Sequence, residues 1–599
     1  MRNARLNNSV VICVLALVAI CAVGCGGGSG PSITKTKPVI SLTGVAPYNA
    51  SVSGANSSWV PAGIPAFTLL ANGNNFTATS VLQWNGTALA TQFGTSQNLA
   101  ATVPSAMVAT SGKAVIAVYD PASGAMSGSV PFGVASAAAA TAGVVQLITA
   151  APDGSPANNN SLVAPSISAT GRYVAFQSAA TNLGVGVAGT YEQIYERDTC
   201  IGAPDGCAPV TIPITVTYDG SAPNFHSRNS SVSGDGRYVV YDSMATNILS
   251  NTSACANAGC IYLRDTCIGA SVGCTPASTL ISVDANGNPA NGGVPGISPD
   301  GRFVTFASST PNVAGNNPAN IVNVFLRDTC NGAPAGCTPL TTLISQSNSG
   351  EIANERSDPQ EASASGRFVT FQSFATNLIP NDTEKGSDIF VRDTCTGAPP
   401  GCEASTTIES LGVNGAFGND GLDGSVIPNI SGDGRYVAFA SDSTNMVAQT
   451  VAFGEVYFHD TCIGAAAACT PATTLAAIAY DGSMPNGFTN HQSMSADGRY
   501  IAFSSAAPDL VPGDTFPVNG GGDIIVRDTC SGAAAGCVPS TVRISVANVA
   551  PYVTQANDLS DYPEISGDGH YVAFMSTAYN LLPLGNIDYE NIFLAKTGY

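Results

Sequence analysis

The sequence predicts an all-β chain whose larger part is a seven-bladed β-propeller. Three observations carry this. A phrase built on S-x-D-G-R-[YF]-[VI]-x-[FY] returns seven times, with turn glycines at Gly171, Gly236, Gly301, Gly366, Gly434, Gly498 and Gly569, at spacings of 65, 65, 65, 68, 64 and 71 residues. Gly (64) and Pro (37) are frequent and only 10% of the 599 residues are charged, a composition of short strands and turns. The seventh unit stops after its third strand at "NIFLAKTGY". The missing fourth strand stands before the first unit, where "VVQLITAAPDGSPANN" (144–159) matches "STLISVDANGNPANGG" (278–293).

Residues 1–24 read as an address. Arg2 and Arg5 precede an apolar stretch, Val10 to Ile20, too short to span a bilayer. Ala22-Val23-Gly24-Cys25 then resembles a bacterial lipobox, which implies cleavage before Cys25 and its lipidation. Gly26 rather than Asp follows, which by the same resemblance implies the outer membrane. "GGGSGPS" within 25–37 is a flexible tether. The chain carries a net charge of −20, or −22 once Arg2 and Arg5 leave, which excludes nucleic acid held through its phosphates. Membrane attachment is therefore expected through the lipid alone.

Residues 38–135 break into short strands at "PAFTLLANGNNF" (65–76), "SVLQWNGTAL" (80–89), "NLAATVPSAMV" (98–108), "GKAVIAVYDP" (112–121) and "SVPFGV" (129–134). Gly73, Asn75 and Phe76, the Trp84-Asn85-Gly86 turn and Val103-Pro104 resemble an IPT/TIG domain. That implies an immunoglobulin-like β-sandwich serving as a spacer, with Trp84 in its core. Residues 136–142 form the linker to the ring, 143–599.

Each repeat reads as four strands. In the fifth, "VIPNIS" precedes the Asp433-Gly434 turn, "RYVAFAS" follows it, "GEVYFHD" is third and "TTLAAIA" fourth. A four-stranded sheet cannot hide both faces, whereas seven in a ring can. Eleven residues after each glycine stands Asn182, Asn247, Asn312, Asn377, Asn445, Asp509 or Asn580, expected to bond its own backbone and close a turn. The motif D-G-[RK]-[YF]-[VI]-x-[FY] resembles the WD40-like PD40 repeat of TolB-type propellers, which implies a protein-binding platform. The TolB-type N-terminal α/β domain is replaced here by other features.

Of 17 Cys, Cys13 and Cys21 leave with the signal and Cys25 takes lipid. Six D-T-C-x6-C phrases pair Cys200 with Cys207, Cys267 with Cys274, Cys330 with Cys337, Cys395 with Cys402, Cys462 with Cys469 and Cys530 with Cys537; Cys255 and Cys260 remain. In an exported chain these read as disulfides. Each bridge is expected to close an eight-residue loop, worth about 2.5 kcal/mol by loop-closure entropy, and to do no more than staple it. Two thiols without a nearby His do not make a zinc site.

Catalytic motifs are missing: there is no H-E-x-x-H, G-x-S-x-G or phosphate loop. His459 stands where other units have Arg197, Arg264, Arg327, Arg392 or Arg527, and His570 where they carry the turn Arg, while His226 and His491 lie before first strands. In a propeller the loops entering each first strand share a face with those joining strands two and three. The entering loops "NERSDPQE", "NDGLDG" and "NDLSDYPE", with Glu355, Arg356, Asp358, Asp420, Asp423, Asp558, Asp561, Tyr562 and Glu564, together with His491, form the candidate ligand-binding face. Asp382 with Asp388, and Asp514 with Asp523, are candidate calcium pairs outside any EF-hand pattern; no other cofactor is expected. The sequence thus predicts a monomeric, lipid-anchored envelope protein that binds a protein or glycan without catalysis. The alternatives are a propeller lyase or glycosidase using loop carboxylates, or a purely structural surface protein.

Overall fold

The computed structural model describes residues 39–599 apart from short segments, the longest being 49–58, 136–144, 185–190, 515–521 and 583–588. Cys25 and the predicted signal and tether lie outside the described residues. Among those described, no helix is long and apolar enough to cross a membrane.

Before the ring, strands Ser41–Tyr48, Phe67–Asn74, Ala90–Thr95 and Asn98–Val103 make one sheet; a second is built around Gly112–Asp120, Val81–Trp84 and Val130–Ala135. Alternating side chains from both, Leu69, Val103, Leu82, Ile116 and Phe132, fill a shared core. Trp84 is buried as predicted, its ring 5.3 Å from Phe132. Lys113 bonds Asp481 at 2.8 Å and so ties this region to the repeats.

Among the described residues the repeats form seven four-stranded antiparallel sheets, each in sequence order except the last. There the outermost strand is Val145–Leu147, paired with Asn591–Lys596 through Val145 opposite Ala595, as the sequence predicts. The first strands, Ser166–Ile167, Ser227–Val232, Gly293–Ile297, Ser357–Ala362, Ser425–Ile430, Thr489–Met494 and Ser560–Ile565, pack each on the next, and the seventh returns to the first. This closed arrangement is a β-propeller.

The recurring phrase makes the joints. In the fifth unit the Ser431 hydroxyl donates to Asp433 (2.6 Å) and accepts from the Tyr436 N–H (2.9 Å), fixing the turn. Gly434 has φ +85°, and a Cβ there would overlap the Phe368 ring of the preceding sheet. The same contact joins Tyr173 to Gly236, Tyr238 to Gly301, Phe303 to Gly366, Tyr436 to Gly498, Tyr500 to Gly569 and, closing the cycle, Tyr571 to Gly171. The turn Arg lies over the aromatic that follows it, Arg435 at 4.8 Å from the Tyr436 ring, and forks onto Asp460 at 2.9 and 2.8 Å. That Asp also accepts the N–H of Cys462 at 2.9 Å, so turn and cysteine hairpin are one structure.

All seven predicted disulfides form: Cys200 to Cys207, Cys255 to Cys260, Cys267 to Cys274, Cys330 to Cys337, Cys395 to Cys402, Cys462 to Cys469 and Cys530 to Cys537. The Asp–Cys–Cys clusters they create offer no thiolate to a metal. Two details correct the expectation of uniform, self-contained staples. Cys255 and Cys260 are 5 residues apart in sequence rather than 7. That bridge leads into a third strand instead of following one, because Cys260 is itself the first residue of Cys260–Asp265 and is buried. The second sulfur of a hairpin can also face the turn: Arg499 Nη2 lies 3.7 Å from Cys537 Sγ while the same guanidinium forks onto Asp528. Cys537 thus packs on the turn Arg as well as closing its loop.

The Asn eleven residues after each glycine also differs from expectation. In every sheet but the third it clamps the loop before the first strand rather than its own turn: Asn377 accepts from the Asn354 N–H (3.1 Å) and donates to the Ile352 carbonyl (2.9 Å). The 71-residue interval before Gly569 accommodates an extra hairpin, Val546–Val549 with Tyr552–Gln555.

Candidate functional site

In six sheets the register of the first strand slips by a bulge, for example between Arg228 and Ser231, Asn490 and Ser493, and Asp561 and Glu564. Bulges re-aim side chains. Here five of the bulged residues sit at positive φ: Asn229 (50°), Val294 (49°), Ile427 (55°), His491 (46°) and Tyr562 (53°). For β-branched Val294 and Ile427 this conformation is costly and persists only because the closed ring imposes it.

Aligned on the turn glycines, the bulges separate framework from variation. One position is a hydroxyl in five sheets, Ser227, Ser357, Ser425, Thr489 and Ser560, and the four Ser bond a Ser of the second strand at 2.8–3.0 Å. The next position holds Arg228, Gly293, Asp358, Val426, Asn490 or Asp561; the one after holds Asn229, Val294, Pro359, Ile427, His491 or Tyr562. These variable residues stand near the start of the first strands, which pack on one another around the ring, on the side of the entering loops, termed the mouth.

The structure brings three of the sequence-predicted residues together. His491 Nδ1 lies 2.8 Å from Asp561 Oδ1 across two sheets, and its ring stacks on Tyr562 at 4.2 Å. Burial pushes the Asp561 carboxyl up, but the bonds to His491 and Ser504 bring it below its ordinary value. Arg356 forks onto Asp358 at 2.7 and 3.0 Å, a pair that neutralises itself. Glu355 and Asp558 are exposed loop residues, Asp558 accepting the Leu559 N–H. Asp420 and Asp423 lie outside the described residues.

Other groups at the mouth escaped the sequence reading. Beside His491, a cavity of about 300 Å³ is lined by Ile427, Asp442, Glu455, Phe488 and Asn490. Phe488 is 56% exposed at its rim. Glu455 is buried and accepts the Thr489 hydroxyl at 2.7 Å, and burial pushes its carboxyl up to about 8. Between the first two sheets, Glu192 receives Arg228 (2.7 Å) and its N–H donates to His226 Nδ1 (3.3 Å), beside a Tyr191–Phe225 stack at 5.1 Å. Asn229 donates to Asp242 at 2.8 Å; burial pushes that carboxyl up to about 7. Divergence among the aligned repeats is the signal that would have found Arg228, Asn229 and Asn490.

Asp388 and Asp523 open third strands, as Asn323 and Asn591 do elsewhere, and each accepts a hydroxyl, from Ser410 (2.6 Å) and Ser545 (2.7 Å). Arg543 stands within 3.2 Å of Asp514 and 3.3 Å of Asp523, and Gln555 donates to both, so the positive charge expected of a cation comes from a guanidinium. Asp382 is buried. His459 repeats the Arg role, bonding Thr473 at 2.9 Å where Arg392 bonds Thr406 at 2.9 Å. At the mouth, Ser504 donates to Asn490 at 2.6 Å, and His491 Nδ1 pairs with Asp561 at 2.8 Å.

No family model matches the chain, and no curated protein matches it. Among solved structures it is similar to a TolB protein from Agrobacterium tumefaciens (18% identity, 52% of this chain and 80% of that one, TM-score 0.28). It is also similar to the Dos1 propeller (12%, 76% and 96%, TM-score 0.35) and to an auxiliary nutrient binding protein from Bacteroides thetaiotaomicron (11%, 93% and 97%, TM-score 0.33). At these scores the fold assignment rests on the strand topology itself.

Proposed function

We propose that the chain is an exported envelope protein, anchored through Cys25, in which an immunoglobulin-like spacer presents a seven-bladed propeller whose channel-mouth face binds a protein or glycan partner. The observation that carries this reading is the contrast between repeats. Among the described residues the turn glycine recurs in all seven sheets, the Arg–Asp fork in six and the aligned Ser pair in four, whereas the bulged mouth positions differ in almost every sheet. A purely structural ring has no need of an asymmetric mouth. Exposed Phe488, the His491–Tyr562 stack and the Glu192–Arg228 cluster supply rigid aromatic and charged anchors of the kind that dominate binding surfaces. The seven disulfides fit an oxidising compartment.

The test is capture from envelope extract, with a glycan panel in parallel, using the chain from Cys25 onward and a His491→Ala/Tyr562→Ala variant. Truncating two anchors costs about 2 kcal/mol or more, so retention should fall about 30-fold or further. A partner held equally by both proteins would refute the mouth as the binding face. Turnover of a polysaccharide, lost on Asp561→Asn with folding intact, would instead favour the enzyme reading that the His491–Asp561 pair leaves open.

A further inference from the structure

The loops that follow the outermost strands reach over to the next sheet, as where the Val413 N–H bonds the Asn445 carbonyl (2.8 Å). Where the third sheet meets the fourth, polar groups close the gap. The Asn348 amide donates to the Thr406 carbonyl (3.2 Å) and accepts from the Thr406 N–H (2.6 Å), while the Thr406 hydroxyl donates to the Gln346 carbonyl (2.6 Å). Thr406 stands on the outermost strand Ser405–Ile408, opposite Arg392 in the ladder. One side-chain amide therefore caps the edge of that strand, pairing with it as a residue of a further strand would.

The junction of the fourth and fifth sheets has the same frame without that cap. Leu343 and Ile408 hold the same ladder position, so Leu411 and Val413 stand where Gln346 and Asn348 stand. Thr473, opposite His459, stands where Thr406 does. Among the described residues, neither Leu411 nor Val413 bonds Thr473. A cavity of about 1060 Å³ lies there instead, lined by these three residues together with Met446, Leu475 and Met484. By register, the N–H and carbonyl of Thr473 point away from His459, along the free edge of Ala472–Leu475. No Asp, Glu, Lys or Arg lines the cavity, and the His459 ring on its wall is held by Thr473 (2.9 Å) and Glu409 (3.2 Å). In a chain of net charge −20, such a wall selects an uncharged occupant.

We propose that this cavity receives an extended, uncharged peptide segment of a partner chain, one residue of which pairs its N–H and C=O with Thr473 as the Asn348 amide pairs with Thr406. A neighbouring apolar side chain of the segment enters the wall formed by Leu411, Leu475 and the two Met, whose flexible thioethers fit side chains of different shape. Met446 is 2% exposed and Val413 38%, so the floor is fixed and the rim is open. Main-chain bonds along a strand edge supply affinity and the side-chain pocket supplies selectivity, a recurring mode of peptide recognition. The site lies at the outermost strand and is independent of what the mouth binds.

The experiment is a fluorescence-anisotropy titration of the chain from Cys25 onward against a panel of labelled, capped tetrapeptides built from Ala, Leu, Val and Phe. Each peptide is run beside a counterpart N-methylated at its internal amides, which keeps the side chains and removes the ladder donors. Val413→Asn restores the cap of the neighbouring junction, and Tyr218→Asn makes the same change at the same loop position between the second and first sheets, where Tyr218 is 60% exposed. The expected result is saturable binding of at least one tetrapeptide to the wild-type chain. Binding should weaken about tenfold or more on N-methylation and in Val413→Asn, as the loss of two hydrogen bonds of ordinary net strength implies, and stay unchanged in Tyr218→Asn. Melting curves confirm the fold of each variant, and the methylated peptides test the ladder on the wild-type chain itself. No saturable binding of any tetrapeptide, equal binding of the methylated counterparts, equal binding by folded Val413→Asn, or an equal loss in Tyr218→Asn overturns the proposal.

Discussion

At the scale of single residues, the turn glycines and one buried acid carry the sharpest expectations. Gly434 combines φ +85° with a Cβ position already filled by Phe368. Gly434→Ala should cost about 2 kcal/mol or more, read as a lowered denaturation midpoint. Glu196 is the opposite case. It is 1% exposed, neither carboxyl oxygen has a hydrogen-bond partner, and it occupies the ladder position held by Leu263, Leu326 and Leu594 in other sheets. Burial holds its carboxyl well above the ordinary 4.5. The folded state therefore keeps a proton that the unfolded chain releases, and stability falls as pH rises above about 4.5. Glu196→Leu should stabilise by on the order of 1–3 kcal/mol at about pH 7.5, with a smaller gain at about pH 4, measured by denaturant titration at both. The glycines were legible because D-G recurs at a fixed period. Glu196 was not, because only alignment of third strands exposes it. The Asn clamp was misread for a related reason: its partner lies 23–25 residues earlier, beyond any local turn rule.

At the scale of elements, the cysteine hairpin and the turn of the same sheet form one device. Arg367 forks onto Asp393 while stacking 4.7 Å from Phe368, and Asp393 holds the Cys395 N–H at 2.8 Å. The ion pair is partly exposed, so its own contribution is about 1 kcal/mol or less. The disulfide contributes more, through the unfolded state. Cys395→Ser/Cys402→Ser should cost about 2.5 kcal/mol, whereas Asp393→Asn should cost less than half of that; urea titrations of the two variants compare them. The hairpins could be read from cysteine spacing alone. The contact of Cys537 with Arg499 could not, since the two are 38 residues apart. Nor could the bulges, because nothing in "SRNSSV" or "SVIPNI" marks the extra residue. Their positive φ arises from ring closure, a tertiary demand that overrides Val and Ile preference.

At the scale of the molecule, closure depends on three residues far from the last repeat in sequence. Val145–Leu147 covers the outer edge of Asn591–Lys596. Removing residues 144–149 would leave that strand edge open. The truncated chain should lose a single cooperative transition and self-associate, seen in calorimetry and light scattering. This closure was legible because the N-terminal segment resembles the fourth strands. The mouth was only partly legible, because side chains converging from different sheets have no common neighbourhood in sequence: His491 and Asp561 are 70 residues apart.

The two faces of the ring can be compared within one protein. A mouth variant, Arg228→Ala/His491→Ala/Tyr562→Ala, and a hairpin-face variant, Asp205→Ala/Val272→Ala/Val538→Ala, carry three substitutions each. The measurement is the dissociation constant of each, and of the wild-type chain, for the captured envelope partner, with melting curves confirming the fold. A loss of about 100-fold or more confined to the mouth variant is the expected result, about 3 kcal/mol spread over the anchors. Equal affinity for all three proteins, or a loss confined to the hairpin face, would contradict the assignment of binding to the asymmetric mouth.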